Sequence, residues 1–356
     1  MNTLSDFGWT KEHQQRWGEL DTNGTQPARV VADFGTSLKL ATPKVITAEL
    51  SGKLAHYTSR DETPKVGDWV AVTISDNNAV VESVVLRANE IARKVTGKKT
   101  MKQIIATNVD IAFVLLALDN NFSVERLKRF LYQLSVSSIK AVIVLNKADK
   151  TDDIPSFRSQ LVSLNIPIIV TTATQGLGVD DVASKIAPAK TAILLGSSGV
   201  GKSTLTNKLL GRDVQNTNDV RESDATGKHT TVHRELFILP NDGILIDTPG
   251  IRELQLWGTE EKLNTNYDDI SAIEARCKYA NCRHTSEEGC AINTALANGS
   301  LDAKHYANFV KMKNELVELA AKTVEKTRQS KRYISRKTKS MQNNRRSKEY
   351  GEEYNV

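Results

Sequence analysis

A nine-residue stretch in the middle of the chain has the residue types and spacing that hold a phosphate group. It runs Gly196-Ser-Ser-Gly-Val-Gly-Lys-Ser-Thr204 and matches the pattern Gly-x-x-x-x-Gly-Lys-[Ser/Thr]. The glycines let consecutive backbone N–H groups point at phosphate oxygens, the lysine adds a cation, and the Ser203 hydroxyl can bind Mg²⁺. The nucleotide-binding residues predicted in this loop are Gly196, Ser197, Ser198, Gly199, Val200, Gly201, Lys202, Ser203 and Thr204.

A second motif, Asn146-Lys-Ala-Asp149, predicts that the base is guanine. A carboxylate at Asp149 can accept hydrogen bonds from both N1–H and the exocyclic amino group of guanine, a pair of donors that adenine lacks. We expect Asn146 to face the other edge of the base, and the stem of Lys147 to lie along the base plane. A small-residue turn after the next strand is expected to complete the pocket through its backbone. The base-contacting residues predicted are Asn146, Lys147, Ala148, Asp149, Thr172 and Ala173.

Two further segments match the switch elements of a GTPase. Asp247-Thr-Pro-Gly250 fits the pattern Asp-x-x-Gly, in which the aspartate holds Mg²⁺ through water and the N–H of Gly250 senses the γ-phosphate. The polar loop at 227–232 offers the hydroxyl of Thr230 or Thr231 as a second Mg²⁺ ligand. Because the base motif precedes the phosphate loop, the sequence predicts a circularly permuted P-loop GTPase domain.

The residue after this second switch motif is Ile251, where many GTPases place a glutamine that orients the attacking water. An isoleucine has no polar atom for this task, so we expect slow intrinsic hydrolysis. His229, in the switch loop, is the candidate catalytic residue that positions the water. The alternative, in which His229 only packs or contacts a partner, stays open.

Three cysteines and one histidine within fourteen residues predict a metal site. The three cysteines are all those in the chain, and four nitrogen or sulfur ligands describe a closed, structural zinc site with no position for an activated water. The alternative is a set of unliganded thiols beside a surface histidine. We predict one structural Zn²⁺, which folds a small lobe. Its ligands are Cys277, Cys282, His284 and Cys290.

The elements that position these motifs follow from the hydrophobic pattern. Five short alternating runs between residues 29 and 87 predict a small β-barrel, with an OB-fold as the leading candidate and an SH3-like or other small barrel as the alternative. A basic, polar linker is expected at 93–102. From 109 to 247, apolar strands alternate with helical segments, which predicts a parallel, helix-covered α/β sheet.

The predicted fold class is therefore multi-domain: a barrel, a permuted GTPase domain and a mainly helical zinc-binding domain. The helix after the zinc ligands continues into a strongly basic stretch at 322–348, which indicates either phosphate contact or a solvated disordered tail. The predicted divisions are an N-terminal extension at 1–28, the OB-fold at 29–92, the GTPase domain at 93–258, the zinc-finger domain at 259–321 and the tail at 322–356.

Composition limits the class of protein. The chain has 356 residues, a formal net charge of +6 and a pI near 9.0, which permits an acidic partner such as nucleic acid. The sequence has no apolar run of eighteen residues, and its N-terminus does not have the pattern of a signal peptide. We expect a cytoplasmic monomer with no membrane partner.

Taken together, these motifs resemble those of the bacterial ribosome small subunit-dependent GTPase A family over essentially the whole chain. The resemblance implies a GTP phosphohydrolase that binds the 30S ribosomal subunit and 16S rRNA late in maturation. It also implies that the subunit stimulates hydrolysis, that hydrolysis drives release of assembly factors, and that His229 matches the histidine proposed to act. The segments that carry the resemblance are Pro64–Val70, Asn108–Asp110, Asn146–Asp149, Gly196–Thr204, Gly227–Thr231, Arg234–Leu236, Asp247–Leu254 and the Cys/His cluster.

Two other functions fit parts of the sequence. A non-hydrolysing, GTP-sensing RNA-binding protein is suggested by Ile251. A metabolic P-loop kinase is disfavoured, because the motif at 146–149 specifies guanine and no pocket for an acceptor substrate is apparent. Release of phosphate from GTP discriminates the first alternative from a GTPase.

Overall fold

The computed structural model describes residues 3–20, 22, 24–35, 37–42, 44–59, 61–75, 78–95, 101–214, 234–248 and 255–352. Internal contacts divide the chain into two units, one formed by residues 1–94 and 102–256 and the other by residues 95–101 and 257–356. The finer domain limits predicted from the sequence stay predictions. Among the described helices, none has the length and apolar composition needed to cross a bilayer.

The described residues form thirteen strands and ten α-helices. The strands are β1 (Gln26–Asp33), β2 (Leu38–Ala41), β3 (Val45–Leu50), β4 (Trp69–Ser75), β5 (Asn78–Val84), β6 (Glu90–Lys94), β7 (Lys102–Thr107), β8 (Ile111–Ala117), β9 (Lys140–Asn146), β10 (Ile168–Val170), β11 (Thr191–Leu195), β12 (Arg234–Ile238) and β13 (Ile244–Asp247). The helices are α1 (Lys11–Gly18), α2 (Gly52–Tyr57), α3 (Val124–Val136), α4 (Ile154–Ser159), α5 (Val179–Ser184), α6 (Lys202–Leu210), α7 (Glu260–Asn266), α8 (Asp268–Glu274), α9 (Ala291–Ala297) and α10 (Ala303–Glu352).

Strands β1 to β5 close into a barrel. Their order is β1-β2-β3-β5-β4, β4 pairs back onto β1, and β3 runs parallel to β5 while the other pairs are antiparallel. Alternate residues of these strands, among them Val30, Leu40 and Val70, are completely buried in the barrel interior. The predicted OB-fold, a five-stranded Greek-key barrel, is confirmed.

The α/β sheet is parallel over five strands, in the order β10-β9-β8-β11-β13. Its sixth strand, β12, runs antiparallel to β13, so the prediction of an all-parallel sheet was wrong at this edge. Only five residues, 239–243, join the two strands, and a parallel connection needs a crossover of a dozen or more. The sequence pattern identified β12 as a strand but did not show its direction.

One eleven-stranded sheet contains both the barrel and the α/β strands, because β1 pairs with β12 as well as with β2. The antiparallel partners at this junction are Ala32 with Glu235 and Asp33 with Arg234. A second, two-stranded sheet forms where β6 pairs with β7, and this hairpin extends into both ends of the predicted linker. Its apolar residues Ile91 and Ile104, on either side of that linker, are buried.

The N-terminal extension packs on the same unit through a buried arginine. Arg29, on β1, donates hydrogen bonds to backbone carbonyls of Phe7, Gly67 and Asn108, and to the Thr191 hydroxyl at 2.8 Å. Its guanidinium also lies 5.4 Å from the ring centre of Trp69. Complete burial lowers the pKa of Arg29 to about 10, against the opposing charges of Asp110 and Asp68. Arg29 thus joins the extension, the barrel and the start of β11.

The second unit is helical, as predicted. Helix α10 runs from Ala303 to Glu352 and includes the basic stretch, so the structure describes that stretch as helix instead of irregular chain. Near its start, one face of α10 is buried, and the buried apolar residues there include Phe309, Met312, Leu316 and Leu319.

Candidate functional site

The phosphate loop follows β11 and leads directly into α6. Two of its glycines are required by close contacts. Gly196 has φ +151°, and a Cβ there would lie 2.7 Å from the carbonyl oxygen of Leu115. Gly201 has φ +95°, and a Cβ would lie 2.2 Å from the Asn146 amide nitrogen. The loop conformation is therefore open only to glycine at these positions.

Asn146, the first residue of the predicted base motif, connects the phosphate loop to the turn at 171–173. Its amide nitrogen donates to the carbonyl of Val200 at 2.8 Å. Its amide oxygen accepts from the Thr171 hydroxyl at 2.9 Å and from the Ala173 N–H at 3.1 Å. The side chain is buried, so each of these bonds is shielded from water. The sequence predicts that Asn146 faces the base, but in the structure both the nitrogen and the oxygen of its side-chain amide bond to protein atoms.

Lys147 follows in the left-handed region, at φ 62°, and its ammonium contacts the Asp119 carboxylate at 2.9 Å. Burial alone raises the pKa of Asp119, but hydrogen bonds from Lys147 and Asn121 outweigh it and lower that pKa. The sequence motifs did not identify Asp119. The available signal was its position directly after the apolar run of β8, because polar residues at the carboxyl ends of parallel strands face the ligand site.

A cavity of about 640 Å³ opens at this edge of the sheet. Its volume lies in the range that accommodates small molecules and cofactors, roughly 300 to 1,000 Å³. The lining includes Asn146, Lys147, Asp149, Ala173, Gly201 and Thr204 from the predicted site, and Thr174 from the small-residue turn expected to complete the pocket. Sequence reasoning missed three further lining residues, Asp119, Asn120 and Lys150.

Thr172 was predicted as a pocket residue but is not among the lining residues. It is buried, and its N–H donates to the carbonyl of Leu177 at 3.0 Å. Ala148 begins a short 3₁₀ turn that ends at Lys150, and its N–H donates to the Thr171 carbonyl at 3.1 Å. Both residues thus shape the backbone around the cavity.

The Lys202 ammonium lies over the phosphate loop. It donates to the carbonyls of Gly196 at 2.8 Å and Ser197 at 2.7 Å. Burial lowers the pKa of Lys202 to about 8, while the Asp247 carboxylate opposes this decrease. A bound phosphate would favour the charged form and raise the pKa again.

The predicted magnesium ligands are only partly within the described residues. Ser203 lies in the first turn of α6, and Asp247 is the buried last residue of β13, the strand beside β11. A hydroxyl at the start of a helix and a carboxylate at a strand end suit Mg²⁺, which binds oxygen ligands. The remaining predictions for this region, His229, Thr230, Thr231 and Gly250, lie outside the described residues.

The four predicted zinc ligands are brought together in the second unit. The ligand atoms of Cys277, Cys282, His284 and Cys290 all lie within 4.8 Å of one another. Nδ1 of His284 is 3.6 Å from Sγ of Cys277 and 3.5 Å from Sγ of Cys290. Tetrahedral bonds of about 2.3 Å to sulfur and about 2.0 Å to nitrogen require a separation near 3.5 Å, so the cluster fits Zn²⁺.

Two carboxylates support this cluster. Glu274 lies 3.3 Å from Nε2 of His284, which leaves Nδ1 directed at the thiols. Glu287 accepts hydrogen bonds from the N–H groups of Arg283, Thr285 and Ser286, and the bond from Arg283 is the largest cause that lowers the Glu287 pKa to about 2. Glu287 therefore remains ionised and holds the loop between the ligands in one conformation.

Comparisons with known proteins agree with this geometry. The RsgA GTPase family matches residues 84–257. The small ribosomal subunit biogenesis GTPase RsgA of Opitutus terrae is 35% identical over 328 residues, which cover 88% of this chain and 89% of that protein. The crystal structure of YjeQ from Thermotoga maritima is similar with a TM-score of 0.59 and 25% identity, covering 82% of this chain and 99% of that one. The structure of YloQ, a circularly permuted GTPase, has the same fold, with a TM-score of 0.57 and 22% identity over 84% of this chain and 97% of that one.

Proposed function

Because this chain belongs to the RsgA GTPase family and is therefore a GTPase, we propose that it acts in biogenesis of the small ribosomal subunit. The finer proposal is that it binds the 30S subunit and its 16S rRNA late in maturation, that the subunit stimulates GTP hydrolysis, and that hydrolysis releases assembly factors. The observation that carries the proposal is similarity over 88% of the chain to a protein named for this role.

The geometry of the nucleotide site supports a separate role for each of its residues. We propose that Asp149 reads guanine by accepting two hydrogen bonds, which an adenine ring cannot donate. The backbone of the phosphate loop and Lys202 would hold the β- and γ-phosphates. Ser203, with Asp247 acting through water, would hold Mg²⁺, which would supply positive charge beside these phosphates. Asn146 contributes by fixing the loop against the turn at 171–173.

The role of zinc in this proposal is structural. Four protein ligands leave no position for a water, so bound Zn²⁺ would stabilise the loop at 277–290 without taking part in hydrolysis. The assignment of His229 as the residue that positions the attacking water stays a prediction. The family relationship disfavours the non-hydrolysing sensor, because the matched family is one of GTPases.

The test is GTP turnover by the full chain with and without purified small subunits, across a range of salt concentrations. We expect phosphate release to rise at least tenfold with the small subunit and to remain unchanged with the large subunit. Lys202→Ala is the control for contaminating nucleotidases, because it removes the loop's cation. Equal turnover with and without small subunits at every salt concentration would refute the ribosomal assignment and leave the GTPase activity standing.

A further inference from the structure

One segment belongs to neither nucleotide motif, although the strand that leads into it lies between the two motif strands in the sheet. It comprises residues 118–126, connects β8 to the start of α3, and is called the bridge segment below. In the sheet, β8 lies between β9, which ends in the base motif, and β11, which ends in the phosphate loop. All three strands are parallel, so their carboxyl ends share one edge. The bridge segment must therefore emerge between the two motifs.

At its first end the bridge segment contacts the base motif. Asp119 lines the cavity and pairs with the Lys147 ammonium at 2.9 Å. This contact determines where the stem of Lys147 lies, since the lysine backbone is already held in a left-handed conformation. The lysine that we expect along the plane of the base is thus oriented from outside its own motif.

At its other end the bridge segment contacts the phosphate loop. Nη1 of Arg126 donates to the Ser197 hydroxyl at 3.1 Å. The same nitrogen lies 3.4 Å from the carbonyl oxygen of Asn121, which ties the guanidinium back to its own segment. Ser197 is the second residue of the phosphate loop, and its carbonyl accepts from Lys202. Arg126 is therefore linked through one residue to the cation that faces phosphate.

The bridge segment is also braced internally. The Asp119 carboxylate accepts from the Asn121 N–H at 2.8 Å, and the Ser123 hydroxyl caps α3 by accepting from the Arg126 N–H at 3.1 Å. The ring of Phe122 packs edge-on against Phe157, with ring centres 4.8 Å apart. A segment fixed in this way can hold two neighbouring loops at a constant separation.

We propose that the bridge segment positions both ends of the bound nucleotide, Asp119 through Lys147 at the base and Arg126 through Ser197 at the phosphates. Both are positioning residues for the GTPase reaction. The two contacts predict different ligand dependence. Loss of Asp119 affects every guanine nucleotide alike, whereas loss of Arg126 affects only those that carry a β-phosphate, which the loop holds.

The experiment measures dissociation constants of GMP, GDP and a non-hydrolysable GTP analogue by competition against a fluorescent guanine nucleotide. For Asp119→Ala we expect all three to weaken by a similar factor, about five-fold for a partly exposed ion pair. For Arg126→Ala we expect GDP and the GTP analogue to weaken about five-fold and GMP to change less than twofold, because one hydrogen bond to the loop is lost. In turnover with GTP, KM rises in both variants while kcat changes less.

Matched variants separate positioning from folding. Asp119→Asn can keep the turn to Asn121 but not the ion pair, so it must behave like Asp119→Ala; wild-type affinity in this variant overturns the role of Asp119. Asp152→Ala and Arg158→Ala, exposed residues on the neighbouring loop and α4, should leave all three constants unchanged. Arg126→Ala overturns the role of Arg126 if it weakens GMP as much as GDP, or if it weakens none of the ligands.

Discussion

The nucleotide site and the Cys/His cluster are held together in opposite ways. The first rests on parallel strands that are buried on both faces, and its key polar side chain, Asn146, makes three hydrogen bonds to protein atoms. In the second, no residue of the described segment 274–289 is buried, and of the four predicted ligands only Cys290 is. Tertiary packing organises the nucleotide site, whereas the Cys/His cluster is expected to depend on a bound metal.

This difference reflects where each site lies on the chain. The residues of the nucleotide site come from strand ends that are distant in sequence, so a hydrophobic core has to bring them together. The predicted zinc ligands lie within fourteen residues, too short a segment to bury a core of its own. Metal binding can replace that core because the free energy of binding becomes free energy of folding.

Removal of the metal should therefore have the largest effect, and only on one side of the comparison. Chelation of zinc, or Cys290→Ser, is expected to abolish bound zinc and to remove protection from amide exchange across 277–290, since structural zinc sites supply on the order of 10 kcal/mol. Affinity for GDP should not change. Ser286→Ala, an exposed substitution in the same loop, is the control. Protection that persists in the metal-free protein would contradict a metal-dependent fold.

A methyl group at Gly201 should break the preorganised site. Gly201→Ala forces a side chain into φ +95° and against the Asn146 amide, so we expect GTP to bind at least about 100-fold more weakly, from roughly 3 kcal/mol of strain and displaced contacts. Gly211→Ala is the matched control, because Gly211 also has a positive φ, +64°, but has no atom within 4 Å of its Cβ position. Equal loss of GTP affinity in both variants would assign the effect to backbone strain alone.

The base contact should contribute somewhat less. Asp149→Asn replaces a carboxylate with an amide whose oxygen can accept from only one of the two guanine donors, and we expect GTP to bind about 100-fold more weakly because the other donor is left unmatched. Xanthosine triphosphate, which carries a carbonyl at position 2, should bind the variant better than GTP does. Asp152→Asn, which lies outside the cavity lining, controls for net charge. Unchanged discrimination between guanine and xanthine would show that Asp149 does not read the base.

The smallest expected effect is a pH dependence at the phosphate end. Lys202 has a lowered pKa of about 8 in the free protein, and bound phosphate raises it, so binding takes up a proton above that pH. Affinity for GDP should fall about fourfold between pH 7.0 and pH 8.5, as the protonated fraction of free Lys202 decreases. Calorimetry in two buffers of different ionisation enthalpy measures the number of protons taken up when GDP binds. Lys202→Arg, which stays charged, should bind with no proton uptake from this position, and uptake equal to that of the wild type would reject the assignment.

The sequence alone predicted those parts of the sites whose residues lie close together along the chain. The phosphate loop, the base motif and the strands before them could be predicted because apolar strands and glycine turns have patterns that span only a few neighbouring residues. The Cys/His cluster was equally accessible, since its ligands lie in one short segment and the structure places their atoms together. The barrel followed from the alternation of its strands, and its topology confirmed the OB-fold.

What the sequence did not show depends on contacts between distant segments. The antiparallel direction of β12 depends on a short turn, and its pairing with β1 depends on the end of β1, at Ala32 and Asp33, that extends beyond the pairing with β4. Neither feature has a residue pattern of its own. Asp119 and Arg126 belong to no motif, and they reach the nucleotide site only because β8 lies between two motif strands. Strand order is a property of the folded sheet, because hydrogen bonds between strands carry no information about residue type, and tertiary packing alone decides which loop ends become neighbours.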